Sequence, residues 1–284
     1  MKHLIKTLLL LAAFSATSQT TKVLIVGDSW AEQQWEDGIH DVVFADSGYP
    51  QFVSLGDNVA ISGSTASDWV VPTELQKITD ALNANSDIDT VQLTLGGNDF
   101  LDQWNVNLTP MAVTAIQNQI IIDLQIVVDH ILAQDIGIEI ILSFYDYPNF
   151  VDTTGGFTGF FCADLHDDLG NPSSLEINQA AVDFEAAFAS VASLNPKIFF
   201  VSHFGRMQNY FGFSDTIPEI LPGQIPLPDG DLNLPSPVEA MRLNAGIVVD
   251  CFHPGAEGYD ILIQSLFDDY YLYRFDTIYK SLFE

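Results

Sequence analysis

Five short apolar runs alternate with longer amphipathic stretches along this chain. Compact apolar runs of about four to eight residues are typical of strands buried on both faces, as in parallel sheets. The stretches between them repeat apolar residues at the helical period of about 3.6, as at Val71, Leu75 and Ile78. The alternation predicts βαβ units, and therefore a doubly wound α/β sandwich with about five parallel strands. The expected strands are 22–27, 58–61, 90–95, 138–144 and 197–202, and the expected helices are 69–83, 111–134, 172–194 and 255–266.

The first nineteen residues have the pattern of an export signal. Lys2, His3 and Lys6 give a basic start, 8–14 is a short apolar run, and small residues follow. This run is too short to span a bilayer, which takes roughly 20 residues, and we expect no later stretch to be long and apolar enough. The sequence therefore predicts a signal peptide at 1–19, a single domain at 20–284, and a secreted or periplasmic protein.

Acidic residues far outnumber basic ones: 38 Asp and Glu against 9 Lys and Arg give a net charge of −29. Such a surface repels nucleic acid and anionic membranes, so neither is expected as a partner. Cys162 and Cys251 are too few for a disulfide scaffold or a thiolate zinc site, and no metal or cofactor is expected. In an exported protein they either pair with each other or remain two buried thiols, and the sequence leaves both open.

Residues suited to ester chemistry follow three of the predicted strands. Ser29, in the run Gly-Asp-Ser-Trp at 27–30, lies where the first strand ends and the N-terminus of a following helix favours an oxyanion. Gly63, after the second strand, can bring a backbone N–H close to the same charge, and Asn98, after the third, can donate from its amide. Taken singly, each of these residues also fits an ordinary helix cap or turn.

The base and the acid that a serine nucleophile needs lie near the other end of the chain. His253 supplies a base that titrates near neutral pH, and a carboxylate such as Asp250 fixes its tautomer and stabilises the imidazolium. The two residues are three positions apart, so one turn of chain can present both to the same serine. The alternative is a surface histidine with a chance acidic neighbour in a very acidic chain.

In this order, the four blocks resemble the motifs of the GDSL hydrolases, also called SGNH hydrolases. The matching residues are 27–29, Gly63, 97–99 and 250–254, and together they span nearly the whole chain beyond the signal. The resemblance implies a flavodoxin-like three-layer α/β/α sandwich. It also implies an esterase or lipase that uses a serine, a histidine and an aspartate and passes through an acyl-enzyme.

The resemblance assigns roles by position. Ser29 is expected to be the nucleophile, His253 its base and Asp250 the acid that orients the base. The oxyanion hole is expected to comprise the N–H groups of Ser29 and Gly63 and the side chain of Asn98. Trp30 stands where the family usually has Leu, and its indole is expected to narrow or wall the pocket.

Aromatic residues are concentrated in two irregular segments, 145–171 and 205–237, that follow predicted strands. They form either an apolar wall for an acyl chain or an aromatic leaving group, or anchors in a small satellite core. The candidates for substrate binding are Trp30, Phe157, Phe160, Phe161, Tyr210 and Phe211. The expected partner is a small-molecule, lipid or glycan ester. A polysaccharide O-acetyl esterase and a non-catalytic binding protein on the same fold are the alternatives.

Four other histidines have no partner at motif spacing and are expected at the surface or at helix caps; they are His40, His130, His166 and His203. Asp99 is expected to make structural hydrogen bonds and to take no part in the chemistry.

Overall fold

The computed structural model describes residues 19–135, 137–155, 159–213 and 230–281. At its centre, five parallel strands form one sheet in the order β2-β1-β3-β4-β5. The strands are β1 (Thr20–Gly27), β2 (Phe52–Leu55), β3 (Thr90–Thr94), β4 (Glu139–Ser143) and β5 (Ile198–Val201). The predicted parallel α/β fold is therefore confirmed. The predicted signal peptide lies almost entirely outside the described residues.

Helices cover both faces of this sheet. They are α1 (Ser29–Glu36), α2 (Ile39–Asp46), α3 (Ala66–Trp69), α4 (Pro72–Ala84), α5 (Gly97–Gln103), α6 (Pro110–Leu132), α7 (Phe160–Asp168), α8 (Ser174–Ala192), α9 (Arg206–Tyr210), α10 (Ala256–Leu266) and α11 (Leu272–Ser281). A 3₁₀ turn at Val238–Ala240 and a π-helical turn at Phe267–Tyr271 complete the helical segments described. A separate antiparallel hairpin pairs β6 (Met241–Asn244) with β7 (Val248–Pro254).

Alternate residues of β1 divide the interior into two cores. Leu24 and Val26 pack on one face, in the cluster that holds buried side chains of α3 to α8, such as Phe184. Val23 and Ile25 pack on the other face, against α1, α2, α10 and α11. This alternation follows from the two-residue period of a strand and gives the three layers of the sandwich.

The second strand is not where the sequence analysis put it. It is β2, and the expected strand 58–61 contributes only an isolated parallel bridge between Gly27 and Ala60. Asn58 has a left-handed backbone, with φ of 62°, and both Val59 and Ala60 donate their N–H groups back to the Gly56 carbonyl. A turn of this kind cannot continue as a strand.

The helix predicted at 69–83 is interrupted. It is divided into α3 and α4, because Val71 is extended and Pro72 begins the second helix. Proline has no N–H to donate and holds the preceding residue away from helical angles, so a helix cannot run through it from before. The three other predicted helices are confirmed as α6, α8 and α10, with ends that differ by one or two residues.

Helix α6 is long and apolar enough, by length and composition alone, to cross a membrane. The expectation that no stretch after the N-terminus has these properties was therefore wrong. One face of α6 is buried in the protein, with Ile120, Leu124, Val127 and Ile131 in the core at helical spacing. A core helix passes the same test, so the finding is weak evidence for a membrane span.

Candidate active site

Ser29 is held at the carboxyl edge of the sheet as the first residue of α1. Asp28 caps this helix, accepting the Trp30 N–H at Oδ1 over 3.0 Å, and its own N–H donates to the Thr94 carbonyl over 3.0 Å. Gly27 has φ of 150°, and a Cβ there would lie 2.0 Å from the Thr94 oxygen, so only glycine fits this close approach of two strands. The strand-to-helix turn therefore positions Ser29 where helix N–H groups have no partner inside the helix.

Asp250, His253 and Ser29 form one hydrogen-bonded series. Asp250 Oδ2 lies 3.0 Å from His253 Nδ1, and His253 Nε2 lies 2.8 Å from Ser29 Oγ. The series joins residues 224 positions apart along the chain. Asp250 and His253 lie on β7 and not in a turn of chain before the last helix, as the spacing had suggested.

Asp250 is fixed by donors around both carboxylate oxygens. Oδ1 accepts the N–H groups of Phe252 and His253 over 2.8 and 2.9 Å, and Oδ2 also accepts the Asn244 amide over 2.9 Å. Burial by itself raises the pKa of Asp250, but the hydrogen bonds and charge of His253 and the backbone N–H groups outweigh it. The pKa therefore falls well below its usual range, and the carboxylate stays ionised beside the imidazole.

Asn98 and Gly63 lie on the two segments that follow β3 and the isolated bridge. Asn98 donates its amide to the Ser64 carbonyl over 2.9 Å, and it lines the same cavity as Ser29. Gly63 has φ of 77° and lines a second, neighbouring concavity together with Ser64. The Ile61 N–H and the Ser64 hydroxyl both donate to the Gly27 carbonyl, which holds the Gly63 loop beside the Ser29 turn. Asp99 accepts the Ala66 N–H over 2.7 Å, a structural bond of the kind expected.

Trp30 joins the Ser29 turn to the strand that carries His253. Its indole N–H donates to the Phe252 carbonyl over 3.2 Å, and its ring packs edge-on against Tyr145 at 5.2 Å and Tyr259 at 5.5 Å between centroids. Leucine, which the GDSL hydrolases usually have at this position, has no side-chain N–H to make this bond.

Tyr145 is a contributor that the sequence analysis missed. Its hydroxyl donates to Asp28 Oδ2 and accepts the Gly97 N–H over 2.9 Å, so it joins the segments after β1 and β3. Burial raises the pKa of Asp28 to about 6, against the lowering effect of the hydrogen bonds from Tyr145 and Trp30. Tyr145 comes two residues after β4 ends, so the rule that strand ends meet at one sheet edge could have nominated it.

A disulfide lies next to Asp250. Cys162 of α7 is bonded to Cys251 of β7, with 5.9 Å between the Cα atoms, so the alternative of two buried thiols was wrong. On the same strand, the Cys251 carbonyl accepts the Asn149 N–H over 2.8 Å. These contacts hold β7 at Cys251, one residue before the Phe252 carbonyl that Trp30 holds.

A cavity of about 240 Å³ opens beside Ser29 and His253. Trp30 and Phe161 contribute to its lining, as proposed for substrate-binding residues, whereas Tyr210 and Phe211 are not among the residues that line it. Tyr210 is exposed and packs edge-on against Phe211, which is partly buried against the core on the α10 face of the sheet. Phe157 and the side chain of Phe160 lie outside the described residues.

Two histidines are buried, contrary to expectation. His40 Nε2 lies 2.7 Å from Gln92 Oε1, and His203 Nε2 lies 2.9 Å from Ser143 Oγ. Burial lowers the pKa of His40 to about 4 and that of His203 to about 3, so both are neutral core residues. Within the described ranges, no three His, Cys, Asp or Glu side chains are grouped so that they could hold a metal ion.

Comparison with solved structures supports the fold. The structure matches a provisionally described platelet activating factor from Streptococcus pneumonia with a TM-score of 0.53 and 15% identity, over 90% of this chain and 86% of that one. An inhibitor-bound aryl esterase from M. smegmatis gives a TM-score of 0.49 and 12% identity, over 88% of this chain and 98% of that one. An acetylxylan esterase from Geobacillus stearothermophilus gives a TM-score of 0.46 and 14% identity, over 88% of this chain and 94% of that one.

Sequence comparison identifies the family. No curated protein matches this chain. The model of the GDSL-like lipase/acylhydrolase family, however, matches residues 15–266, which include every block of the motif series. The chain therefore belongs to the GDSL-like lipase/acylhydrolase family, and it is an ester-cleaving hydrolase.

Proposed function

We propose that this protein is an exported serine hydrolase of carboxylic esters, with Ser29 as nucleophile, His253 as base and Asp250 as the acid that orients it. The observation that carries the proposal is the series of contacts from Asp250 Oδ2 to His253 Nδ1 at 3.0 Å and from His253 Nε2 to Ser29 Oγ at 2.8 Å. Both distances are those of direct hydrogen bonds.

The reaction proceeds by acyl transfer in two halves. As Ser29 Oγ bonds to the ester carbonyl carbon, His253 Nε2 takes the hydroxyl proton and the carbonyl electron pair moves onto oxygen. The tetrahedral intermediate collapses, and the alcohol leaves with the proton from His253. A water molecule then attacks the acyl carbonyl carbon and gives its proton to His253. His253 returns this proton to Ser29 Oγ as the acyl–oxygen bond breaks and the acid is released. Asp250 accepts a hydrogen bond from the Nδ1–H of His253 throughout, which keeps Nε2 available as the base.

The developing oxyanion is stabilised by the Ser29 N–H, the Gly63 N–H and the Asn98 amide. Ser29 contributes because the first N–H groups of a helix have no partner within it and carry the positive end of the helix dipole. An amide nitrogen carries two N–H groups. Asn98 can therefore be oriented by its bond to the Ser64 carbonyl and still donate to substrate.

Export is supported by the bond between Cys162 and Cys251. Disulfides form and persist in oxidising compartments, such as the periplasm and the medium outside the cell, and are rare in the reducing cytosol. The proposal therefore places the working enzyme outside the cytoplasm, where it meets small-molecule or lipid esters.

Covalent labelling with a fluorophosphonate tests the nucleophile directly. Ser29→Ala is expected to abolish labelling and hydrolysis of p-nitrophenyl esters while the fold remains intact by circular dichroism. Ser143→Ala is the matched control, because Ser143 also lies 2.9 Å from a histidine nitrogen but is buried beneath the sheet edge. Labelling that persists in Ser29→Ala, or a folded wild-type protein that never labels, contradicts the proposal.

A further inference from the structure

The cavity beside Ser29 extends into the space between the sheet and helices α5, α7 and α8. Its far wall is made of core side chains that are almost fully buried: Phe144, Ile177, Phe184 and Phe204. Its outer rim includes Phe161, of which 59% is exposed. The cavity is therefore a recess with its opening at the surface, the reactive hydroxyl on one side and the core at its far end.

Three carboxylates in the lining, those of Asp28, Asp250 and Asp146, are already engaged with the protein. Asp28 accepts the Tyr145 hydroxyl and the Trp30 N–H, and Asp250 is bound by His253. Asp146 accepts the N–H groups of Gly205 and Met207. Four further polar side chains contribute to the lining: Ser29, Asn98, Asp102 and His253. The other side chains in the lining are mainly aromatic or aliphatic. A sugar ring that reached the part formed by core side chains would bury hydroxyls without partners, whereas a hydrocarbon chain would gain there by leaving water.

A recess beside the nucleophile can hold either the acyl group or the alcohol of the ester. Because this recess is closed at one end, it is better suited to the acyl group. The acyl group stays bonded to Ser29 after the first half-reaction, whereas the alcohol must depart and water must take its place beside His253. The core side chains at the far end of the recess allow neither the departure of the alcohol nor the entry of water. The His253 side chain is 25% exposed, so the alcohol and the water can exchange on that open side.

We infer that this recess is an acyl-chain site and that the enzyme's substrates are medium-chain carboxylic esters with straight acyl chains. A cavity of about 240 Å³ has room for several water-sized groups, so an acyl chain much longer than acetyl fits in it, and octanoate is the medium-chain test case. The inference rests on the proposed function, because it takes Ser29 as the atom that carries the acyl group.

Two substrate series separate the acyl side of the site from the alcohol side. One series varies the acid of p-nitrophenyl esters from acetate through octanoate to palmitate, and the other varies the alcohol of straight-chain acetates. Both are measured below micelle formation. In the first series kcat/KM is expected to rise by about two- to fourfold per methylene as far as octanoate, and then to fall. In the second series it is expected to change little with chain length.

One substitution in the wall tests which residues set the length. Ala181 lines the cavity from α8, and Ala181→Leu adds about three methylene-sized groups to the wall. The optimum acyl length is expected to shorten by about three carbons, with kcat/KM for octanoate falling by more than ~10-fold and that for acetate within ~2-fold of wild type. Ala186→Leu, at an exposed position of the same helix, is the matched control and leaves the profile unchanged. Leu165→Ala, on α7, enlarges the recess and lengthens the optimum, and it serves if Ala181→Leu does not fold.

Each outcome separates this inference from the function on which it rests. A protein that labels at Ser29 but hydrolyses acetate fastest keeps the proposed function and overturns the acyl site. The acyl site is also overturned if Ala181→Leu changes the kcat/KM profile of the alcohol series and leaves that of the acyl series unchanged, because the recess then holds the alcohol. Absence of both labelling and hydrolysis overturns the proposed function and the acyl site together.

Discussion

Glu185 is a buried carboxyl that destabilises the folded protein at neutral pH. It lies on α8 with 2% of its surface exposed, and one of its oxygens, Oε1, has no hydrogen-bond partner in the described part of the chain. Burial raises its pKa from 4.5 to about 8, only partly offset by a hydrogen bond with Ser202. In the folded protein near pH 7 this carboxyl is therefore mostly protonated, whereas in the unfolded chain it is ionised.

The sign and size of the effect follow from linkage between proton binding and folding. Between pH 4.5 and about pH 8 the folded protein holds a proton on Glu185 that the unfolded chain releases. The free energy of unfolding therefore falls as pH rises through this window, by about 1.4 kcal/mol per pH unit. The stability that this bound proton contributes, relative to an ionised Glu185, is complete below pH 4.5 and lost above about pH 8. Glu185→Gln, which mimics the protonated form at every pH, removes the dependence.

Urea unfolding of wild type and Glu185→Gln at three pH values measures the effect. The variant is expected to be more stable by about 1 kcal/mol near pH 5.5, about 3 near pH 7 and about 5 near pH 9. Asp183→Asn, at an exposed position on the same helix, is the control and is expected to give a difference that does not grow with pH. If the difference in free energy of unfolding between wild type and Glu185→Gln stays constant from acid to alkaline pH, the reasoning is refuted, because the carboxyl then titrates alike in the folded and unfolded states.

Three further substitutions test the contacts around Ser29. Trp30→Phe removes the indole donor to the Phe252 carbonyl, and kcat/KM for a soluble ester is expected to fall by about 5- to 10-fold; an unchanged value speaks against a positioning role. Asn98→Ala is expected to lower kcat by about 10²- to 10³-fold with an unchanged circular dichroism spectrum, and full activity removes it from the oxyanion hole. Replacing Cys162 and Cys251 together by Ser opens a loop of 89 residues and is expected to lower the free energy of unfolding by about 4 kcal/mol in urea titrations; a change below ~1 kcal/mol contradicts this.

The main elements of the fold were readable from the sequence because each carries its own signal. β1, β3, β4 and β5 are mostly buried and therefore appear in the sequence as short runs rich in apolar residues. β2 was missed because it is only four residues long, is interrupted by Ser54, and has only Phe52 fully buried. The apolar residues at 59–61 follow a turn, which the left-handed angle of Asn58 and the two N–H bonds back to Gly56 distinguish from a strand.

The candidate reactive residues could be named from the sequence, but the residues that support them could not. Ser29, Asn98, Asp250 and His253 stand in recognisable motifs because the chemistry requires those side-chain types. Asn244, which donates to Asp250 from the other strand of the hairpin, carries no local signal, since its partner is set by the register of β6 on β7. The burial of His40 was unreadable for a similar reason: its partner Gln92 is 52 positions away along the chain.

The position of His253 depends on the supports of β7 more than on the central sheet. The hairpin β6–β7 is a sheet of its own, so no strand pairing ties it to β1. Trp30, next to Ser29, holds the Phe252 carbonyl, while the disulfide and the Asn149 N–H hold Cys251. The first contact acts on the residue directly before His253, and the others act on the residue directly after Asp250. The series Asp250–His253–Ser29 can keep hydrogen-bond distances only while both supports hold the strand, because a shift of about 1 Å in β7 is enough to break them. The tryptophan that departs from the family pattern is therefore best understood as part of this clamp as well as a wall of the acyl recess.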